Sequence, residues 1–425
     1  MWQLRQIFLN NKLYLKNLFF TYFSQGITAI TLIVLTPLLT KYMGLHEFGI
    51  YGVILNVIAF SVIFDFGLNT GLLRKYILGE QSNEALIKNL FSFYLLLGIV
   101  IFPAYIFIFH SVINNLSYSS LILISILSTI VIIQNIIILF FDTLIQSLNF
   151  IYVSKLFRSI KLICEFIATI CLLHQINLPL LLLITSSINI LYIILLYVYT
   201  QKNNNVKLKI QSIEWGLLFE HFKYSIWYFL ASLASVLVFN TQIVIINYLI
   251  GGAEAARFLI VTRFFDIIRI AMTNFTQVLT PKIIYIEVEN NWPKIKKLFI
   301  SVLSRISALT LMLSICLYFF GAFIFEKWSK LNDYSTLTLF KVYILFIALI
   351  IIDNVSFIFL SALKLNKTTT IVSIIQGSLT LLLTLFFVTN YGIIGAIYAS
   401  LLSFTITNML FNPLYLMKAL NNKLI

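Results

Sequence analysis

Charge is scarce in this sequence. Of the 425 residues only 10% are charged, while 60% are hydrophobic and 16% aromatic, and the mean hydropathy is +0.99. Soluble domains carry roughly 25% charged and about 45–50% apolar residues. A soluble fold of this length could not hide so much apolar surface, so the shortage of charge excludes one and leaves a polytopic membrane protein solvated by lipid. Cysteine is equally sparse. Cys164, Cys171 and Cys316 all fall inside apolar runs, which excludes a disulfide framework or a zinc cluster and reads as small buried hydrophobes. His46, His110, His174 and His221 lie near segment ends and match no metal-ligand spacing, so no metal site is expected. Long polar loops are also missing: the longest are 69–89, 201–221 and 281–300. An enzyme that handles long glycans needs a sizeable outer loop or soluble domain for its substrate and catalytic acids, so a non-enzymatic protein is expected and no catalytic residues are assigned.

What the chain does have is a succession of apolar runs. Spans are predicted at 18–39, 48–68, 90–110, 119–141, 157–175, 178–200, 222–250, 257–280, 301–324, 336–360, 369–389 and 392–416. The first follows a basic stretch (Arg5, Lys12, Lys16) and is followed by no small-residue cleavage site, so it reads as an uncleaved helix. The expected fold is an all-α integral membrane protein of about twelve transmembrane helices. With the N-terminus placed in the cytoplasm, 22 of the 29 Lys and Arg fall on the cytoplasmic side and 4 outside, with Arg263, Arg269 and Lys341 inside spans. That bias is the positive-inside pattern and places both termini in the cytoplasm. It also accounts for the net charge of +14 without nucleic acid as a partner. A Lys/Asn-rich segment, 201–221, divides the chain into six-helix lobes, 1–200 and 222–425. Gly44, Glu47 and Tyr51 recur as Gly251, Glu254 and Phe258, an echo that suits a parallel internal repeat.

The stretch "VTRFFDIIRIAM" (261–272) breaks the apolar pattern. At about 100° per residue, Asp266 lies about 60° and Arg269 about 120° from Arg263 on the same side. Thr262, Thr273, Asn274, Gln277 and Thr280 extend this stripe, and Phe264, Phe265, Ile268, Ala271 and Met272 take the opposite face. Each charge near the bilayer centre costs about 2.5–3.5 kcal/mol. An i, i+3 pair such as Arg263–Asp266 offsets part of that, but one carboxylate cannot neutralise two guanidiniums. The residual positive charge, on a residue type that grips phosphate oxygens bidentately, points to a cationic cavity that receives an anion. A buried ion-pair network is the structural alternative. Asn240, Gln25 and Lys341 are further candidates to line the cavity, Lys341 also being close enough to the outer surface to snorkel. Asp65, Asp142 and Asp353 sit near cytoplasmic helix ends, where a pairing with a loop Lys or Arg is expected; with Arg74 they are the candidates for coupling or gating. Lys161 and Glu165 read as a structural pair.

Two stretches carry a family resemblance. "LTPLLTKYMGLHEFGIYGVI" (35–54) and "FDFGLNTGLLRKY" (64–76) resemble the opening of bacterial polysaccharide flippases of the Wzx type, in which the first two helices end in P-x-x-x-r-x-l-G-x-x-e-y-G-x-y and D-x-G-l-x-x-g-x-x-r. Pro37, Gly44, Glu47, Phe48, Gly49, Tyr51, Asp65, Gly67, Gly71 and Arg74 take those places, and His46 replaces the usual Pro in what reads as a loop. "NYGIIGAIYAS" (390–400) is similar to the last tight turn in the wider multidrug/oligosaccharidyl-lipid/polysaccharide (MOP) exporter group. The resemblance implies two lobes in a V-shaped fold and alternating access. It implies transport of an undecaprenyl-pyrophosphate-linked oligosaccharide, with an O-antigen repeat unit as the expected cargo, from the inner to the outer leaflet of the bacterial plasma membrane. It further implies no cofactor, energy drawn from a proton or sodium gradient, and membrane lipids together with the polymerase and chain-length proteins of the same pathway as partners. The alternative within the fold group is an ion-coupled multidrug or small-molecule antiporter; because drugs are commonly cationic, the cationic stripe argues for the glycan.

Overall fold

A computed structural model describes residues 11–77, 84–112, 118–147, 150–203, 208–277 and 279–423. They are almost wholly helical, and no strand occurs among them. Numbered in chain order, the helices are α1 (Asn11–Ala59), α2 (Leu68–Ile77), α3 (Glu84–Val112), α4 (Tyr118–Ser147), α5 (Ile151–Cys171), α6 (Leu178–Asn203), α7 (Trp215–Phe239) and α8 (Thr241–Leu249), then α9 (Gly252–Gln277), α10 (Thr280–Val288), α11 (Trp292–Cys316), α12 (Ala322–Ser329), α13 (Tyr334–Ala362), α14 (Asn366–Tyr391), α15 (Ile393–Phe404) and α16 (Leu410–Asn422). The reason is one of backbone satisfaction: in lipid a segment has no water to bond, so its N–H and C=O groups are paired within the segment.

Among the described residues, 9 helical stretches are long and apolar enough to cross a membrane. The spans expected at 18–39 and 48–68 form one such stretch, Leu15–Asp65, broken only at Gly44 (φ 80°, ψ 162°). The residues expected to form a loop there, His46 included, are helical. Two further expected spans, 157–175 and 257–280, correspond to α5 and α9. These are 21 and 26 residues long, enough for a ~30 Å hydrocarbon core at about 1.5 Å per residue. Their charges keep them out of the apolar set: Lys155, Arg158, Lys161 and Glu165 on α5, and Glu254, Arg257, Arg263, Asp266 and Arg269 on α9. With those two helices included and the first stretch divided at Gly44, the expected twelve are accounted for. The glycine echo has a backbone counterpart. Gly251, between α8 and α9, also has a positive φ, 112°, and neither glycine has a neighbour that a Cβ would meet within 4 Å. Left-handed backbone, rather than crowding, favours glycine at both.

The chain folds as two compact units. One comprises the described residues up to Glu47 and Val57–Phe229; the other comprises Phe48–Asn56 and the described residues from Leu230 onward. In the first, α4 is central, packed on α3 and α6. Gln134 donates to Ser186 O (3.2 Å) and Oγ (3.0 Å) and accepts from Asn189 Nδ2 (3.1 Å), a polar bond between α4 and α6 of the kind that joins helices in lipid. In the second, α14 and α15 form a tight hairpin whose turn is Gly392 (φ 61°). Gln242 Nε2 donates to Ala396 O (2.7 Å) and Ser400 Oγ (2.7 Å), tying α8 to α15. A π-helical turn, Thr405–Met409, separates α15 from α16. Pro413 lies one turn further on, and its missing N–H and bulky ring disfavour regular α-helix before it.

Glycines let helices approach closely in both units. In the first, a Cβ on Gly67 would lie 2.5 Å from Phe229 N, and one on Gly71 would lie 2.0 Å from Ser225 Oγ. This Gly-x-x-x-Gly edge lets α2 seat directly on α7. In the second, Gly49 faces the Gly252 carbonyl oxygen, where a Cβ would come within 1.8 Å. The cysteines correct the sequence reading: Cys164, Cys171 and Cys316 are exposed rather than buried. On a spanning helix the outward face is apolar because lipid covers it, so a cysteine in an apolar run need not point inward.

Candidate functional site: the charged face of α9

α9 is held by its aromatic side. Phe265 is fully buried and stacks on Tyr343 of α13 at 4.8 Å between centroids. Phe264 packs edge-on against Phe325 of α12 (5.8 Å) and Phe340 of α13 (5.3 Å). Lower on the helix, Asn354 Nδ2 of α13 donates to Thr276 Oγ1 (2.7 Å). At the upper end Arg257 pairs with Glu254 and lies 3.7 Å from Asp333. Asp333 caps α13, its Oδ2 accepting from Thr336 N (3.0 Å), Thr336 Oγ1 (2.7 Å) and Ser335 Oγ (3.0 Å). Partial burial works against the Asp333 charge, but these hydrogen bonds, aided by Arg257, outweigh it and hold the carboxyl below its ordinary range.

With its rings anchored, α9 presents Arg263, Asp266 and Arg269 on the other side, all half-buried. Arg269 donates to Asp266 Oδ1 through Nη2 (2.8 Å) and Nε (3.2 Å), and its guanidinium lies 5.1 Å from the Phe239 ring centre. The expected Arg263–Asp266 pair does not form. Helical side chains lean toward the N-terminus, so Arg269 folds back over the acid while Arg263 leans away from it. An acid three or four residues ahead of its base is the favoured order for the same reason. Arg263 is left with no hydrogen bond or ion pair among the described residues, and the group keeps one unneutralised positive charge.

The other predicted residues do not all join this group. The side chains of Asn274 and Gln277 lie outside the described residues. Lys341 on α13 is exposed, with its ammonium 6.0 Å from the Tyr318 ring centre and no ion pair to α9 among the described residues. Asn240 sits half-buried at the break between α7 and α8 and caps neither. Gln25, on α1 in the other unit, buries its Oε1 without a partner among the described residues.

The four coupling candidates are placed individually. Asp65 accepts from Tyr94 OH (2.7 Å) and Asn69 Nδ2 (2.6 Å), Asp142 from Ser154 Oγ (2.9 Å) and Tyr192 OH (3.0 Å), and Asp353 from Asn412 Nδ2 (3.0 Å). None lies within ion-pair distance of a Lys or Arg among the described residues, so the expected pairing with loop cations is replaced by neutral hydroxyl and amide donors. Two of them are too deep in the packing for loop cations to reach, Asp65 being 4% and Asp353 7% exposed; Asp142 is only half-buried, and its oxygen is taken by the two hydroxyls. Arg74, the fourth, is exposed and donates to Tyr228 OH. Lys161 and Glu165 do pair, at 3.6 Å. The partners Tyr94, Tyr192 and Asn412 went unnoticed in the sequence because each is contributed by a distant helix. Asn69 was within reach, four residues after Asp65 and placed to close a turn on it.

No cluster of metal-binding side chains occurs among the described residues. The charged face of α9 offers hydrogen-bond donors and a net positive charge, groups whose chemistry suits an anion.

No curated protein matches the chain in sequence. Its backbone is similar to the lipid II flippase MurJ in an inward closed conformation, at 16% identity and TM-score 0.73, covering 96% of this chain and 90% of that one. It is similar to a multidrug resistance MATE family transporter of the MOP superfamily in an inward-facing conformation, at 12% identity and TM-score 0.70, covering 92% and 95%. A third likeness, at 12% identity and TM-score 0.59 over 96% and 94%, is to a MOP superfamily transporter from Pyrococcus furiosus whose reversed pocket polarity suggests a different function. At these identities the likeness establishes the fold. The family model for polysaccharide biosynthesis proteins matches residues 14–287, more than half of the chain and including α9. The chain belongs to the polysaccharide biosynthesis protein family, built on the fold of MOP superfamily transporters.

Proposed function

We propose that this protein is a flippase that moves an undecaprenyl-pyrophosphate-linked oligosaccharide, an O-antigen repeat unit in our reading, from the inner to the outer leaflet of a bacterial plasma membrane. The observation that carries the reading is the unneutralised charge on α9: Arg263, which has no ion pair among the described residues, lies beside an Asp266–Arg269 pair on a helix otherwise built to lie in lipid. Holding a lone guanidinium there is costly, and an anionic ligand offsets the cost. Arg263 and Arg269 contact the pyrophosphate or an acidic sugar, and Asp266 sets the angle of Arg269. Asn274, Gln277, Lys341, Asn240 and Gln25 complete the substrate path. The cycle is alternating access between two six-helix lobes, 1–200 and 222–425, joined by the cytoplasmic segment 201–221, with both termini in the cytoplasm. MATE transporters of similar fold are known in both inward-facing and outward-facing conformations, which supports such a cycle. Asp65, Asp142 and Asp353, each held by neutral donors, are the groups through which a proton or sodium gradient would act, with Arg74 at the cytoplasmic end. Membrane lipids and the polymerase and chain-length proteins of the pathway are the partners.

The likeness to multidrug transporters favours a second reading, export of small molecules. A cationic drug and the net positive face of α9 repel each other, so the glycan reading stands ahead. Complementation separates the two. The chain is expressed in a strain that makes a lipid-linked O unit but lacks its flippase, and surface polysaccharide is stained. Restored staining is the expected result. Absent staining across several glycan types, with the protein present in the membrane and drug tolerance raised, would transfer the assignment to the antiporter.

A further inference from the structure

α5 is the other helix whose charge sets it apart from the apolar spans, and its charges share one side. At about 100° per residue, Lys155, Arg158, Lys161 and Glu165 fall within about 120° of arc. Buried Ser154 and Thr169 lie on that side, and the exposed Ile160, Ile163 and Ile167 lie opposite. The isoleucine face meets lipid, so the cations point toward the protein. Lys161 is satisfied there by Glu165 at 3.6 Å. Lys155 and Arg158 are not: neither makes a hydrogen bond or ion pair among the described residues. The carboxylate they face, Asp142, is already held by Ser154 and Tyr192. Arg158 is exposed although it lies on the same side as those buried residues, so its fork is accessible.

A third cation lies over the first turn of the helix. Tyr152 N donates to Asn17 Oδ1 (3.0 Å), pinning α1 to the first turn of α5, and the Lys16 ammonium lies 3.8 Å from the Tyr152 ring centre. Cations near a helix N-terminus oppose its dipole. Lys155 and Arg158, three residues apart on one side of the helix, are like charges that repel each other. An anion between them would relieve both strains.

We propose that Lys16, Lys155 and Arg158 form a second anion-binding site, lying within the first compact unit, for the phosphate of a lipid headgroup. The arginine fork takes two phosphate oxygens and the lysines act as point charges. The site is independent of the glycan assignment, because an anionic phospholipid and a polyprenyl diphosphate offer the same phosphate chemistry.

The test uses the full chain in phosphatidylcholine nanodiscs, with R263Q/R269Q as the background so that α9 is silent. Binding of a polyprenyl diphosphate and of phosphatidylglycerol is measured by native mass spectrometry, with inorganic pyrophosphate as competitor. One of the two lipids is expected to bind, to be displaced by pyrophosphate, and to lose at least tenfold in affinity when K155Q/R158Q is added. The tighter of the two names the source. If K155Q/R158Q changes the unfolding midpoint without lipid, R158Q alone replaces it, since that side chain is exposed and holds nothing. Unchanged affinity in the folded variant, or binding that pyrophosphate does not disturb, would overturn the proposal. Failure here leaves the complementation result untouched, and the converse also holds.

Discussion

Asp266 has two arginines within three residues and chooses the later one, because a helical side chain leans back along its helix. The sequence carried the stripe, the net charge and the candidates, all of which follow from spacing. It did not carry the choice of partner, which depends on side-chain direction. Nor did it carry the aromatic wall of Phe239 and Tyr343, which comes from other helices. The acids placed near cytoplasmic helix ends show the same limit: their places in the helices were legible, but the depth of Asp65 and Asp353 and the donors of all three were not. Asp353 and Asn412 form a buried pair, so Asp353→Leu strands the Asn412 amide and is expected to cost about 1–3 kcal/mol, read as a lower unfolding midpoint in detergent. Asp333 titrates the other way from a buried acid. Its pKa is depressed in the folded protein, so its contribution is present above the ordinary carboxylate pKa and is lost as pH falls through the depressed value. Asp333→Ala is expected to cost about 0.5–2 kcal/mol at neutral pH, and the gap from the parent is expected to close in acid unfolding scans. A gap independent of pH would contradict that role for the cap.

At the scale of elements, what the motif glycines do becomes visible only once their partners are known. Gly67 and Gly71 stood out in the sequence as part of a family pattern, yet nothing local said that α7, separated from them by four helices, would lie against them. The structure supplies the reason: Ser225 Oγ occupies the place of a Gly71 side chain. Gly71→Val is expected to cost about 1–3 kcal/mol by overpacking, measured as lost folded protein on size-exclusion chromatography. Gly44→Val has open space around it, and its cost comes from the backbone alone; the two variants should therefore differ in rescue. A smaller residue at position 225 is expected to restore part of Gly71→Val, whereas no neighbouring substitution restores Gly44→Val. The charged helices α5 and α9 were expected as spans and are long enough to be so, but apolarity alone passes over them. In this chain the helices on which we propose anion sites are the ones that least resemble membrane spans.

For the whole molecule, composition alone dictated lipid as the solvent, and the distribution of Lys and Arg dictated an orientation. That orientation is checked by single cysteines in a background with Cys164, Cys171 and Cys316 replaced. An impermeant maleimide is expected to label Lys330→Cys in intact spheroplasts and Lys209→Cys only after permeabilisation; the reverse pattern would invert the topology. Twelve spans were legible because hydropathy and loop charge agree. The joint at Gly44 was not, because one glycine with positive φ does the work expected of a loop. Membership in the polysaccharide biosynthesis family and a transporter fold give the setting, and our proposal puts the cargo on the charged face of α9. The most direct measurement is translocation itself. The purified chain is reconstituted into vesicles with a polyprenyl-diphosphate-linked oligosaccharide, and movement between leaflets is followed by accessibility of the sugar to an added lectin, for the parent, Arg263→Ala, Arg269→Ala and Arg269→Lys. The account expects transport by the parent, at least a tenfold loss in either alanine variant, and partial activity for Arg269→Lys, which keeps the charge but not the fork. Alanine variants that fold, insert and move the lipid at the parental rate would contradict a cationic cargo site on α9.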